Sequence, residues 1–246
     1  MVVRQKSLEL NPKIASNDEE SFWQGVKDCV PTLLGYLSIG FAAGVVEKTA
    51  GLSMIEIALM SLLLYAGSGQ FIAAGMIAAS NPISAIIFTV FFINLRHLLL
   101  SAAIAPYFQH LSPRKNLSVG ALLTDETFGV AINHAQNKKQ ISYKWMLGLN
   151  ITAYLNWFVA NLAGGFLGQW IPNPEAFGLD FALPGMFIGL LVIQILSQKK
   201  YFVDIMVTLS AVVIVVIVSF SSSGNAGVII ATVLASTIGM VIERWR

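Results

Sequence analysis

At 246 residues, of which 56% are hydrophobic and 11% charged, the chain is too apolar to cover a water-soluble surface, which ordinarily carries about a quarter charged side chains. A formal charge of +2 with dispersed basic residues excludes a nucleic-acid partner, and a single cysteine, Cys29, excludes an internal disulfide or a cysteine-built metal site. The composition is that of an all-α integral membrane protein, in which each helical crossing takes about 20 apolar residues.

Residues 1–25 are polar, include Asp18-Glu19-Glu20 and hold no apolar stretch of the signal-peptide type. They are expected to form a cytoplasmic tail, so that the first crossing serves as its own insertion signal. The remainder, 26–246, reads as a single polytopic transmembrane domain of about eight segments.

Segment one, from about Val30 to Val46, carries Gly35, Gly40 and Gly44, whose small side chains admit a closely packed neighbour. Glu47-Lys48 is expected to end it at an interface. Segment two, Ile55 to Ala79, is interrupted by Tyr65-Ala66-Gly67-Ser68-Gly69-Gln70. That interruption is either a packing notch or a broken helix whose freed backbone groups face a cavity. Segment three, Ile83 to Ala105, follows Asn81-Pro82 and holds Asn94-Leu95-Arg96-His97 mid-span, with Asn94, His97 and Ser101 stacked at spacings of three and four. Segment four, Leu117 to Asn133, is interrupted by Thr124-Asp125-Glu126 and reads as two half-helices or a re-entrant piece.

Segment five, about Trp145 to Trp170, places Asn150, Tyr154, Trp157 and Asn161 on one helical face. Such a stripe suits interhelical hydrogen bonds or substrate contact. Segment six, Phe181 to Leu196, has Pro184-Gly185 as a kink or discontinuity. Segments seven, Val203 to Phe220, and eight, Ala226 to Ile242, read as scaffold or partner contact. Tyr36-Leu37-Ser38 with Gly44 is similar to Tyr154-Leu155-Asn156 with Gly164-Gly165, which suggests duplicated halves.

Lys/Arg bias predicts both termini in the cytoplasm: Arg4, Lys6, Lys13 and Lys27, then Lys138, Lys139 and Lys144, then Lys199 and Lys200, then Arg244 and Arg246. Eight crossings fit these positions but leave Arg114-Lys115 outside, against the rule.

An arginine in mid-span needs a partner, a watered cavity or a ligand. Arg96 offers a planar fork to a carboxylate, and a broken helix at Gly67-Ser68-Gly69 adds backbone N–H groups. Asp125 or Glu126 would then hold an ammonium, with Gln70, Asn94, Asn150 and Tyr154 orienting the substrate. His97, Asp125 and Glu126 are the candidate proton-coupling groups. A permanent structural ion pair between Arg96 and one of the acids is the competing reading. No catalytic residue, cofactor or metal is called for. The alternatives are a channel for small polar solutes and an intramembrane serine protease built on Ser68 and His97, although Ala66 stands where a rhomboid-like motif would place glycine, two before the serine.

The chain resembles the AzlC-type large subunit of branched-chain amino acid exporters. The likeness runs from about Phe22 through segment six and is carried, in order, by residues 65–71 (YAGSGQF), 94–97 (NLRH), 123–127 (LTDET) and 180–187 (DFALPGMF). It implies export of valine, leucine and isoleucine, with methionine as a further candidate, across the bacterial inner membrane. It also implies a small AzlD-type membrane subunit as partner. No nucleotide-binding loop is present, so the expected mechanism is secondary transport coupled to protons.

Overall fold

The computed structural model describes residues 21–136, 138–171 and 201–219, with scattered positions in 173–192 and 234–241. It divides into two compact units, 1–183 and 184–246. No strand occurs among the described residues. Unit one contains α1 (Phe22–Thr49), α2 (Met54–Leu63), α3 (Gly67–Ala78), α4 (Ile83–Ile104), a 3₁₀ turn (Ala105–Phe108), α5 (Pro113–Ala121), α6 (Asp125–Ala135) and α7 (Tyr143–Gly168); unit two contains α8 (Tyr201–Ser219). The tail before Ser21 and most of segments six and eight, including most of the 180–187 motif, lie outside the described residues.

Segments two and four are both split, as their polar interruptions suggest. α2 starts on a reciprocal cap in which the Ser53 backbone N–H donates to Glu56 Oε2 at 2.7 Å and the Glu56 N–H to Ser53 Oγ at 3.3 Å. It ends at Leu63, and the chain turns through Tyr65, whose φ of 40° is left-handed, before α3 starts at Gly67. α5 starts with Pro113 at its first turn, where a missing N–H costs nothing, and α6 restarts at Asp125 behind an N-cap threonine, Thr124. Segment one starts earlier than expected: Ser21 caps α1 at Phe22 through a 3.2 Å bond from the Gln24 N–H, which leaves Pro31 inside the helix.

α1 and α7 run parallel and meet almost backbone to backbone. A methyl group added at Gly25 would overlap the Trp145 carbonyl, at Gly44 the Asn161 carbonyl, at Gly148 the Phe22 carbonyl and at Gly164 the Phe41 carbonyl. Small residues let dispersion act over this full length where no hydrophobic drive operates between helices in lipid. Gly35 has open space around its Cα and is not part of this seam. The two helices thus form a frame around which the broken arms are hung.

Among the described residues, Phe22–Thr49 and Ile83–Phe108 are long and apolar enough to cross a bilayer. α4 turns Ile83, Ile87, Phe88, Phe91, Leu98 and Leu99 outward, each more than half exposed. So large an apolar face is stable against lipid and not against water.

Adding one methyl to the seam should lower stability by about 1–3 kcal/mol, because neither backbone can retreat. Gly44→Ala and Gly164→Ala are expected to reduce the melting temperature of detergent-solubilised protein, while Gly75→Ala, which meets nothing within 4 Å, leaves it unchanged or slightly raised.

Candidate substrate site

Breaking two helices inside the molecule strands carbonyls at the ends of α2 and α5, and α7 supplies the donors. Tyr154 OH donates to the Leu62 carbonyl at 2.9 Å, and Asn150 Nδ2 to the Val119 carbonyl at 3.1 Å. Both acceptors lie in the last turn before a break, where the next helical N–H is lost. The Tyr154 ring also packs edge-on against Tyr65, with centroids 4.8 Å apart. These two stripe residues therefore satisfy one carbonyl at each break, and Asn150 Oδ1 is left buried without a hydrogen-bond partner.

The two restarted helices differ at their N-termini. α6 is closed by its own side chains: the Thr124 N–H donates to Thr127 Oγ1 at 2.9 Å, the Thr127 N–H to Thr124 Oγ1 at 3.4 Å, and Asp125 and Glu126 place negative charge at the positive end of the dipole. α3 has Ala66 as N-cap, with no side-chain cap bond and no acid in its first turn. Its N-terminus keeps the capacity to receive an anion.

Arg96, on α4, is paired with the start of α6. Its Nη1 lies 2.9 Å from Asp125 Oδ2, each side chain about one-fifth exposed at 21% and 20%. Glu126 turns the other way and accepts from Tyr36 OH at 3.0 Å, and the same hydroxyl is hydrogen-bonded to Thr124 Oγ1. The adjacent acids thus take different partners, one cationic and one phenolic. Asn94, two residues before Arg96, packs against α3 so closely that a Cβ on Gly69 would stand 3.4 Å from its Nδ2. Asn94 Oδ1 and Ser68 Oγ are buried without a hydrogen-bond partner.

On α4, Asn94 therefore faces Gly69 of α3 and Arg96 faces Asp125 of α6, with half-buried His97 next to Arg96 in the chain. Gln70 faces elsewhere. Its Nε2 donates to Glu47 Oε1 at 2.9 Å and Asn161 Oδ1 at 3.2 Å, and its Oε1 accepts from Trp157 Nε1 at 2.7 Å. Gly67 rests on the Trp157 ring, where a Cβ would lie 3.1 Å from Cη2. No hydrogen bond is made by Ser68 Oγ, so the serine–histidine pairing of a protease is not formed here.

Glu47, expected at an interface, is completely buried, and Tyr36, which the sequence offers only as part of a repeat, fastens Glu126. A signal for both exists. Gly25, Cys29, Tyr36, Gly40, Ala43 and Glu47 follow one another at spacings of three, four or seven and are all buried, which puts them on one stripe.

The family model described as "AzlC protein" matches residues 31–171, which include every candidate residue named above. Among curated proteins, the Escherichia coli K12 inner membrane protein YgaZ is 30% identical over 178 residues, 70% of this chain and 72% of that one. A membrane protein of Archaeoglobus fulgidus is 32% identical over 70% of this chain and 74% of its own. The branched-chain amino acid transport protein AzlC of Bacillus subtilis is 27% identical over 76% and 74% respectively. No solved structure matches. With a model covering more than half its length and relatives aligned over most of theirs, this membrane chain belongs to the AzlC family.

Proposed function

We propose that the protein is a secondary carrier that moves valine, leucine and isoleucine, with methionine as a further candidate, outward across the bacterial inner membrane. It works by alternating access, is coupled to protons, and acts as the large subunit beside a small AzlD-type membrane protein. The Bacillus subtilis relative's name supports the substrate class. The observation that supports the reading is the Arg96–Asp125 pair at 2.9 Å, on a helix, α4, that also packs Asn94 against the uncapped first turn of α3.

A zwitterion is the ligand such a pair admits at least cost. Its carboxylate replaces Asp125 on the guanidinium and gains the N–H groups of Gly67, Ser68 and Gly69, while its ammonium replaces Arg96 on Asp125. Every charge stays matched through the exchange, so neither ion is left bare in a medium where that costs several kcal/mol. The empty carrier keeps the ion pair, and the loaded carrier keeps two pairs with the substrate between them. Asn94 and Ser68 have unfilled hydrogen-bonding capacity to orient it. Gln70 and Tyr154 support this site through the bonds described above, and Asn150 does so at Val119 while its Oδ1 keeps unfilled capacity for substrate.

The arrangement of helices is compatible with cytoplasmic termini. If the α2–α3 arm, α4 and the α5–α6 arm each cross once, four reversals separate α1 from α7 and the two run parallel, as their seam requires. Arg114-Lys115 then stands at the end opposite Lys138 and Lys139.

Loss of a charge-assisted bond should slow export about ten- to a hundredfold. In cells fed a valine-containing dipeptide, Arg96→Ala is therefore expected to leave intracellular valine high at normal membrane levels of the protein. Full relief of accumulation would remove Arg96 from the site. Double neutralisation, Arg96→Gln with Asp125→Asn, separates transport from architecture: membrane levels should recover relative to either single variant, with export still absent. Recovered export would make the pair structural.

Proton coupling through His97, Asp125 and Glu126 predicts that dissipating the pH gradient at constant voltage slows leucine efflux from energised vesicles. Efflux that continues at the same rate would take protons out of the cycle.

A further inference from the structure

Glu47 is a carboxyl that the ion pair does not explain. Its side chain is completely buried, Oε1 accepts from Gln70 Nε2 at 2.9 Å, and Oε2 has no hydrogen-bond partner. The Gln70 amide is held in one orientation, because the indole Nε1 of Trp157 can only donate and so takes Gln70 Oε1. Gln70 therefore donates to Glu47 Oε1 whether the acid is charged or neutral, and Oε2 is the oxygen left without a partner.

The charges around Glu47 are sparse. α3 carries no titratable residue, and α2 carries Glu56, whose Oε2 is already bound by the Ser53 N–H at 2.7 Å. α7 brings Tyr143 and Lys144 at its far end and Tyr154, which donates to Leu62. α6 brings Asp125, Glu126 and His134, and its hydrogen bonds to α1 are made at Tyr36, about three helical turns before Glu47. On α1 itself, Lys48 Nζ reaches the Leu52 carbonyl at 3.4 Å, and Tyr36, Cys29, Asp28 and Lys27 lie further back. Among the described residues no cation is paired with Glu47.

A carboxyl buried beside an amide and without a counter-charge changes its charge most readily when its access to water changes. It is also mechanically placed to report that change. Gln70 lies in the first turn of α3, and Trp157, which holds Gln70, supports Gly67 at the opening of the same turn. Moving the Glu47–Gln70 bond therefore moves the N–H groups assigned to the substrate carboxylate.

Resting on the carrier reading above, we propose that Glu47 is a proton-exchanging carboxyl of the transport cycle, taking up or releasing a proton at Oε2 and passing the change through Gln70 to the substrate-binding turn. The step is a simple acid dissociation: the O–H bond at Oε2 breaks, its electron pair stays on the carboxylate and the proton goes to water. Asp125 is held by the Arg96 cation, whereas Glu47 has only the neutral Gln70 amide, as Glu126 has the Tyr36 hydroxyl.

The test uses the full-length protein together with its small AzlD-type partner in liposomes, with leucine as substrate, and compares exchange at equal leucine and pH with net flux under an imposed pH gradient. Glu47→Gln keeps an oxygen for Gln70 and cannot ionise. It should exchange leucine near the wild-type rate and lose the acceleration by the gradient, while Glu47→Asp keeps the acceleration. Gradient response undiminished in Glu47→Gln would overturn the proposal. Infrared pH-difference spectra read the proton directly: a protonated-carboxyl C=O band present in the wild type should vanish in Glu47→Gln and shift in Glu47→Asp, and a band unchanged in both would also overturn it. Absence of leucine flux in the wild type would defeat the carrier reading alone, since the infrared band still decides whether Glu47 exchanges a proton.

Discussion

The ion pair between Arg96 and Asp125 is the interaction that the rest of the first unit serves. A guanidinium inside an apolar bundle must be matched at every stage, and an acid that can match it must itself be placed and held. Restarting a helix at Asp125 does this. The N-terminus of α6 favours the negative charge, Thr124 and Thr127 close its first turn, and Tyr36 takes Glu126 away so that one acid is left for the arginine. The break before α3 has the opposite character, with an open N-terminus and no acid. One broken arm thus supplies an anion and the other has room for one.

Breaks inside a membrane protein are stable only if the backbone groups they expose are satisfied, and here α7 does that for both arms through Tyr154 and Asn150. The frame and the arms are joined by different physics. α1 and α7 touch through backbone and small side chains over most of their length, contacts that cannot slide without a clash. The arms are tied to that frame at their broken ends by individual hydrogen bonds. Such bonds can be exchanged one at a time, as the proposed movement of the arms against a fixed frame would require.

Much of the site was legible because its residues violate the apolar pattern around them. Gly67-Ser68-Gly69 and Thr124-Asp125-Glu126 mark helix breaks for reasons of backbone freedom and capping, and Arg96 in an apolar run demands an anion. What could not be read was which neighbour each polar group meets. Asn150 and Tyr154 share a face with Trp157 and Asn161, and that face was equally suited to substrate or to other helices; the structure gives its donors to Val119, Leu62 and Gln70. Glu47 was misplaced because Lys48 follows it and Gly51 ends the helix soon after, signs of an interface. Its place on the Gly40–Gly44 stripe was the stronger sign, since a stripe facing α7 carries whatever stands on it into the interior.

The central claim is that a zwitterionic amino acid separates Arg96 from Asp125 and binds both. A structure determined with isoleucine bound measures this directly. The account predicts the carboxylate within hydrogen-bond distance of the Arg96 guanidinium and the first turn of α3, with the ammonium on Asp125. Isoleucine bound elsewhere, with the Arg96–Asp125 bridge intact, would contradict it.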